Sequence, residues 1–166
     1  MAGREGFTLI ELMVVIAIIA ILSTVGFVSF TNAQIASRDA RRKQDLRSLE
    51  VALELYYQQN RQYPPDYSYS TDNRDGGGVD WYSRFKNEIS PFINSLPKDP
   101  MNGQGVWNGG RGPWYAYAYA TCGTFQCYHL CATLENKNDK DINVTSGNSC
   151  TGDGATTWNF EIDSPN

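Results

Sequence analysis

The sequence is poor in the residues on which many enzyme and metal sites depend. Its 166 residues include one histidine, His129, and four cysteines, all of them within the last 45 residues. It contains neither a G-x-S-x-G nucleophile motif nor a phosphate-binding P-loop. A histidine-rich catalytic or metal site is therefore nearly excluded, and we expect a protein that is not an enzyme and needs no cofactor.

Positive charge is also scarce. Fourteen Lys and Arg residues are outnumbered by 18 Asp and Glu residues, which gives a formal net charge of -4. Non-specific binding to nucleic acid needs clustered basic residues that neutralise phosphates. We therefore expect no nucleic-acid partner for the isolated chain.

Apolar residues are concentrated in one stretch near the N-terminus. Between Phe7 and Phe30, 18 of the 24 residues are apolar, against 50 of the other 142. As a helix this stretch would extend about 36 Å, enough to cross a hydrocarbon core of about 30 Å. Cleavage after the stretch, as in a secretory signal, is disfavoured because Phe27 and Val28 continue the apolar run. The sequence therefore predicts a retained transmembrane helix.

One carboxylate, that of Glu11, interrupts the apolar stretch at its fifth position. An ionisable side chain is costly in the middle of a membrane and marks a functional site by default. Near the cytoplasmic face the same side chain would reach water at little cost. The residues alone leave both interpretations open.

An amphipathic helix follows the apolar stretch. Its apolar residues recur at helical spacing; they are Leu46, Leu49, Leu53 and Tyr56. Its other face is charged and is expected to be mostly solvated; it carries Arg38, Asp39, Arg41, Arg42, Lys43, Asp45, Arg47, Glu50 and Glu54. Residues before a proline disfavour the helical conformation, so Pro64 and Pro65 predict that the helix ends by Asn60.

The C-terminal half of the sequence indicates a sheet. Residues 66–112 are rich in Gly, Asp, Asn and Pro and predict a connecting loop rather than a sheet, with a short helix around Trp81–Asn94. Alternation predicts strands at 113–121 and 126–135 and a third around Phe160. The predicted fold class is α+β, with a long N-terminal helix packed against an antiparallel sheet of about three to four strands.

The first predicted strand has two distinct faces. Three tyrosines alternate with three alanines; they are Tyr115, Tyr117 and Tyr119, and Ala116, Ala118 and Ala120. We expect the small alanine side to pack close to a helix. The tyrosine row fits either a ligand-stacking platform or cross-strand packing inside the sheet, and packing is the favoured interpretation.

Four cysteines permit three disulfide pairings. A hairpin centred between Thr124 and Phe125 would place Cys122 opposite Cys127, and Cys131 would then pair with Cys150, which is the pairing we prefer. A zinc site is disfavoured because the paired C-x2-C spacing of structural zinc folds is missing. Disulfides favour an oxidising compartment outside the cytoplasm.

The segment Gly6–Leu12, with the sequence GFTLIEL after a short leader, resembles the class III signal of type IV prepilins. The resemblance implies cleavage between Gly6 and Phe7 by prepilin peptidase, followed by N-methylation of the Phe7 amine. It also implies that Glu11 pairs with the Phe7 amine of a neighbouring subunit during filament assembly. A second segment, Leu96–Gly103 with its PKDP sequence, resembles the turn before the first head strand in major pseudopilins and many pilins.

The resemblance and the patterns together divide the chain. Residues 1–6 are predicted to be a cleaved leader, 7–30 a transmembrane and filament-core helix segment, and 31–60 an amphipathic helix segment. Residues 61–166 are predicted to form a globular head, with a connecting loop at 61–112 and a β-sheet and disulfide-bonded region at 113–166. In a filament, the basic residues from Arg38 to Lys43 could instead contact acidic patches on neighbouring heads.

The resemblance implies a structural subunit of a bacterial type IV pilus-like filament. Its partners would be further copies of the chain, prepilin peptidase, and the pilus assembly platform with its ATPase. The precursor is expected in the inner membrane with its head outside the cytoplasm, and the filament on the cell surface, where it could serve motility or adhesion. Two alternatives remain open: a major pseudopilin of a type II secretion system, and a membrane-anchored extracytoplasmic binding domain.

Overall fold

The computed structural model describes residues 6–65, 69–70, 81–102, 115–143, 150 and 158–165. The leader before Gly6, the first two residues of the predicted strand 113–121 and most of the segment 144–157 lie outside the described residues. The elements follow one another as α1 (Leu9–Asn60), β1 (Tyr69–Ser70), α2 (Trp81–Ile89), β2 (Tyr117–Thr121), β3 (Tyr128–Ala132) and β4 (Phe160–Asp163). The predicted α+β class is confirmed.

Helix α1 ends where the sequence predicts, at Asn60. The next residue, Arg61, adopts a positive φ of 59°, and its backbone N–H donates to the carbonyl of Tyr57 over 2.8 Å. That bond is typical of a helix terminated by a left-handed residue. Pro64 and Pro65 follow shortly afterwards and prevent the helix from resuming.

The chain divides into two compact units, Met1–Ser37 and Arg38–Asn166. Among the residues described, none of the helices combines the length and the apolar character needed to cross a membrane. The transmembrane prediction for residues 7–30 is therefore not confirmed by the structure.

Four antiparallel strands form one sheet in the order β1-β2-β3-β4. The prediction that residues 66–112 contribute no strand is wrong, because Tyr69 and Ser70 pair with Tyr119 and Ala118. A strand of two residues is too short to produce an alternating pattern in the sequence. The short helix predicted in the same region is confirmed as α2 and ends at Ile89.

The main core lies between the C-terminal half of α1 and one face of the sheet. Leucines of α1 and tyrosines of the sheet form it together; its fully buried members include Leu46, Leu49, Leu53, Tyr117, Tyr119, Tyr128 and Leu130. The expectation that the alanine side of β2 faces the helix is therefore wrong. Leucines spaced along a helix leave grooves that large rings fill better than methyl groups do.

The opposite face of the sheet carries a smaller core. Ala116 and Ala118 pack there with Trp158 and with the Cys131–Cys150 pair. The small side chains of β2 thus accommodate a disulfide and an indole ring. The fully buried Tyr117 and Tyr119 are not available as a ligand-stacking platform, which agrees with the preferred packing interpretation.

Candidate assembly site and anchoring network

Helix α1 begins immediately after the predicted cleavage point. Gly6 and Phe7 precede the helix, and the Phe7 side chain is 84 % exposed. A Cβ atom placed on Gly6 would meet nothing within 4 Å. None of the described residues therefore crowds Gly6 at the predicted scissile bond.

Thr8 and Glu11 form a reciprocal cap at the start of α1. The backbone N–H and the hydroxyl of Thr8 donate to Glu11 Oε2 over 2.9 and 2.7 Å. The backbone N–H of Glu11 donates to Thr8 Oγ1 over 3.3 Å. This is a capping box, in which a Thr and a Glu three residues later satisfy each other's unpaired helix-terminal groups. The sequence interpretation of Glu11 missed this local role, although the T-x-x-E spacing signals it.

The N-terminal half of α1 exposes apolar side chains on every side. Leu12, Met13, Val14, Val15 and Ile16 are consecutive and are all between 46 and 58 % exposed. Five consecutive residues pass once around a helix, so no single face is apolar. A helix that is apolar all round is normally covered, either by lipid or by other protein. This segment is therefore a surface that requires a partner.

Further along α1, the charged side chain of Arg42 is fully buried. Its guanidinium donates to Asp99 over 2.7 and 3.1 Å, to Asp39 over 2.7 Å and to Glu135 over 2.6 Å. Its Cζ atom also lies 4.9 Å from the centroid of the Tyr115 ring. Asp99 belongs to the PKDP segment, so this motif attaches to the helix through a buried bidentate ion pair.

The carboxylates around Arg42 are held by further bonds. Asp39 accepts the backbone N–H groups of Glu135 and Asn136, each over 2.9 Å. Asp99 accepts the backbone N–H of Met101 over 2.8 Å. A buried ion pair is tolerated only when its remaining lone pairs and protons are satisfied, and these bonds supply that satisfaction.

Two neighbouring basic residues extend the network. Arg38 donates through Nε to Glu135 over 2.7 Å, and Lys43 donates to Asp139 and Asp141, each over 2.6 Å. The expectation that the Arg38–Lys43 cluster is mostly solvated is therefore wrong, because its partners lie within the same chain. We name the set Arg38, Asp39, Arg42, Lys43, Asp99, Glu135, Asp139 and Asp141 the anchoring network.

The pKa values within the anchoring network follow from these contacts. Burial lowers the pKa of Arg42, but hydrogen bonds to Asp99 and Glu135 outweigh it and raise the pKa overall. Burial raises the pKa of Glu135, yet the hydrogen bonds from Arg38 and Arg42 bring it below its ordinary value. The hydrogen bond from Lys43 likewise lowers the pKa of Asp139. The Arg42 guanidinium and the carboxylates of Glu135 and Asp139 are therefore favoured in their ionised forms.

Buried phenols tie the sheet to the polar edge of α1. Tyr117 donates to Asp45 over 2.8 Å, and Tyr63 and Tyr128 both donate to Glu54, over 3.0 and 3.3 Å. Because a buried tyrosine needs a partner for its hydroxyl, the carboxylates of α1 account for Tyr117 and Tyr128, whereas Tyr119 on the same face donates to the carbonyl of Pro64.

The four cysteines form two disulfides, Cys122–Cys127 and Cys131–Cys150. The first closes the β2–β3 hairpin, in which Phe125 donates its backbone N–H to the carbonyl of Cys122 over 2.9 Å. The second links β3 to Cys150, across 19 residues of sequence. Both lie in the second compact unit, at a distance along the chain from the N-terminal motif.

Comparison with known proteins identifies the N-terminal motif. Residues 1–27 match the family model described as the prokaryotic N-terminal methylation motif. The match includes the GFTLIEL segment that resembles the class III signal of type IV prepilins. It is also 38 % identical over 60 residues to the type IV major pilin protein PilA of Myxococcus xanthus (strain DK1622), an alignment that covers 36 % of this chain. The chain spans only 27 % of the length of that pilin.

No solved structure matches the chain. The resemblance to type IV pilins therefore rests on the N-terminal methylation motif and on the similarity to the myxococcal pilin. The predicted resemblance to type IV pilins is confirmed.

Proposed function

We propose that the chain is a structural subunit of a type IV pilus-like filament, polymerising through the N-terminal half of α1 after removal of residues 1–6. The observation that carries this proposal is the all-round apolar surface of that half, which starts one residue after the capping box and has no cover among the described residues. In the precursor the cover would be the inner membrane, and in the filament it would be the same segment of neighbouring subunits.

This exchange costs little hydrophobic free energy, because apolar side chains leave lipid for a core of equally apolar helices. Hydrophobicity alone permits such helices to slide past one another, so a polar contact is needed to fix their register. We assign that contact to Glu11. Both bonds from Thr8 go to Glu11 Oε2, so Oε1 remains able to accept from the Phe7 amine of a neighbouring subunit.

The basic residues of the anchoring network lie in the C-terminal half of α1, and the network attaches that half to the rest of the head. It fixes the C-terminal half of α1 to the loops that follow β3 and α2, through contacts that are mostly buried. Because its basic residues are satisfied within one chain, we do not assign them to contacts between heads. In the filament, the N-terminal half of α1 would therefore hold the subunits together, and the sheet with its disulfides would be the exposed part of each subunit.

Three variants separate the charge of Glu11 from its capping role. Glu11→Gln keeps a side chain that can complete a capping box but loses the negative charge. Thr8→Ala removes the capping hydroxyl and keeps the charge, whereas Glu11→Ala removes both the charge and the carboxylate that completes the cap. We expect Glu11→Gln and Glu11→Ala to insert in the membrane but to yield no filaments, whereas Thr8→Ala yields filaments. Filaments are counted by electron microscopy of native cells that express each variant.

The opposite pattern would refute the proposed pairing. If Glu11→Gln assembles normally while Thr8→Ala does not, then Glu11 acts as a helix cap and not as an intersubunit charge. If none of the three variants reduces the number of filaments, Glu11 has no role in assembly. Immunoblots of the membrane fraction confirm that each variant is present in equal amount.

The location of the processed chain decides between a surface pilus and a type II pseudopilus. The PKDP segment, whose Asp99 is part of the anchoring network, occurs in both kinds of subunit by resemblance. A surface pilin is released by shearing intact cells, whereas a pseudopilin stays with the envelope. We expect the sheared fraction to contain the chain.

A further inference from the structure

One cluster of ligating side chains lies outside the anchoring network, on the sheet face that looks away from α1. His129 of β3 is paired in register with Asp163 of β4, and Cys131 with Glu161. The side chains of His129, Glu161 and Asp163 therefore meet on one face across two adjacent strands. One ligating atom from each lies within 4.8 Å of the other two.

The hydrogen bonds available to this cluster do not satisfy it. His129 Nδ1 lies 2.7 Å from Asp163 Oδ1 and 3.0 Å from Glu161 Oε1. A single Nδ1 atom carries at most one hydrogen, which cannot serve two carboxylate oxygens well. With Asp163 as the closer acceptor, Glu161 Oε1 is left buried and without a hydrogen-bond donor.

The electrostatics of the cluster are equally unbalanced. Two carboxylates converge on one imidazole, and the salt bridges that the described residues form with Glu161 and Asp163 involve only His129. The two carboxylates thus share a single basic side chain at the point where the three ligating atoms converge.

The backbone holds these ligands in place. The Asn143 side chain accepts from the backbone N–H of Glu161 over 2.9 Å and donates to its carbonyl over 2.7 Å. The Glu161 and His129 side chains are only 13 % and 23 % exposed, whereas that of Asp163 is 66 % exposed. Two of the ligands are thus preorganised by the sheet, and the third is open to solvent and able to close on an ion.

We propose that His129, Glu161 and Asp163 form a binding site for a divalent transition-metal ion of the Zn²⁺ type. An ion bound to His129 Nδ1 and to one oxygen of each carboxylate satisfies Glu161 Oε1 and neutralises the pair. One nitrogen and two carboxylate oxygens at about 2.0–2.2 Å from the metal are a normal ligand set for zinc, with a fourth position for water. Calcium is excluded as the preferred ion, because it takes six to eight oxygen ligands. The bound ion would cross-link the edge strand β4 to β3.

The composition of the chain gives this site an unambiguous probe. His129 is the single histidine of the sequence, so the untagged full-length chain in detergent has one imidazole to observe. On addition of ZnCl₂ we expect the imidazole resonances in the NMR spectrum to shift and to saturate at one ion per chain. Addition of CaCl₂ at the same concentration is expected to leave them unchanged.

Two variants and a control assign the ligands. Loss of a supporting contact at a metal site lowers affinity by about 10–100-fold, so loss of a ligand in His129→Gln or Glu161→Gln should weaken Zn²⁺ binding in calorimetry by at least about tenfold. Glu50→Gln removes a carboxylate of α1 outside the cluster and should leave binding unchanged. The proposal is overturned if the imidazole resonances of the wild-type chain do not respond to Zn²⁺, or if His129→Gln binds with wild-type affinity. The first of these readouts needs no variant and does not depend on how the variants fold.

Discussion

Replacement of Arg42 by alanine is expected to destabilise the head strongly. It removes a fully buried guanidinium and leaves three carboxylates without their common partner, those of Asp39, Asp99 and Glu135. Breaking a buried ion pair from one side costs about 3–5 kcal/mol, because the remaining charge stays buried and uncompensated. The Tyr115 ring loses its cation as well. We therefore expect Arg42→Ala to lower the free energy of unfolding of the head by at least about 3 kcal/mol.

The assay is urea unfolding of the full-length chain in a mild detergent, followed by near-ultraviolet circular dichroism. With a denaturant slope of about 1–3 kcal/mol per molar urea, the midpoint should fall by about 1 M or more. Arg41→Ala is the matched control, since Arg41 is the preceding residue, its side chain is 66 % exposed and its salt bridge to Asp45, the one it forms within the described part of the chain, spans 3.7 Å. An exposed pair of this kind contributes at most about 1 kcal/mol.

A double variant tests whether the loss arises from uncompensated charge. Asp99→Asn removes one of the stranded charges, so Arg42→Ala/Asp99→Asn should be less unstable than the sum of the two single variants, by about 0.5–3 kcal/mol. The reasoning is refuted if Arg42→Ala and Arg41→Ala shift the midpoint equally. It is also refuted if the two changes in the double variant are additive.

Three further predictions concern the same head. Cys131→Ala/Cys150→Ala should lower the free energy of urea unfolding by about 3 kcal/mol, because this disulfide closes 19 residues of sequence; an unchanged midpoint would contradict it. Tyr117→Phe should lower the same free energy by about 1 kcal/mol, since it deprives a partly buried Asp45 carboxylate of its donor; a gain in stability would contradict it. The folded-state pKa of Glu135 is lowered, so its contribution is present above its ordinary pKa of 4.5 and is lost as the pH falls below that value. Glu135→Gln should therefore flatten the fall in thermal midpoint below pH 4.5, and an equally steep fall in the variant would contradict this.

The helix and the strands could be predicted because their signals are local. The spacing of leucines located the C-terminal half of α1, and the prolines after it located its end. The alternation around Tyr117 located β2, although the structure begins the strand later than the pattern does. A local pattern identifies the two faces of a strand but does not say which face meets the helix, so the expectation that the alanine face of β2 packs on the helix is wrong.

The anchoring network could not be predicted because, apart from the Arg42–Asp39 pair, its contacts are not local. Arg42 is separated from Asp99 by 57 residues and from Glu135 by 93. From the sequence, a run of charges on a helix is equally consistent with a solvated face. The T-x-x-E capping box was detectable in principle, since its two members are three residues apart.

The most direct test of the proposed filament subunit is intact-mass and N-terminal analysis of the chain sheared from native cells. We predict a chain that begins at a methylated Phe7, contains two disulfides and sediments with filaments. A chain that begins at Phe7 but remains with the envelope would support the pseudopilin instead. Retention of residues 1–6 in all of the protein would contradict both processing and assembly, and with them the proposed function.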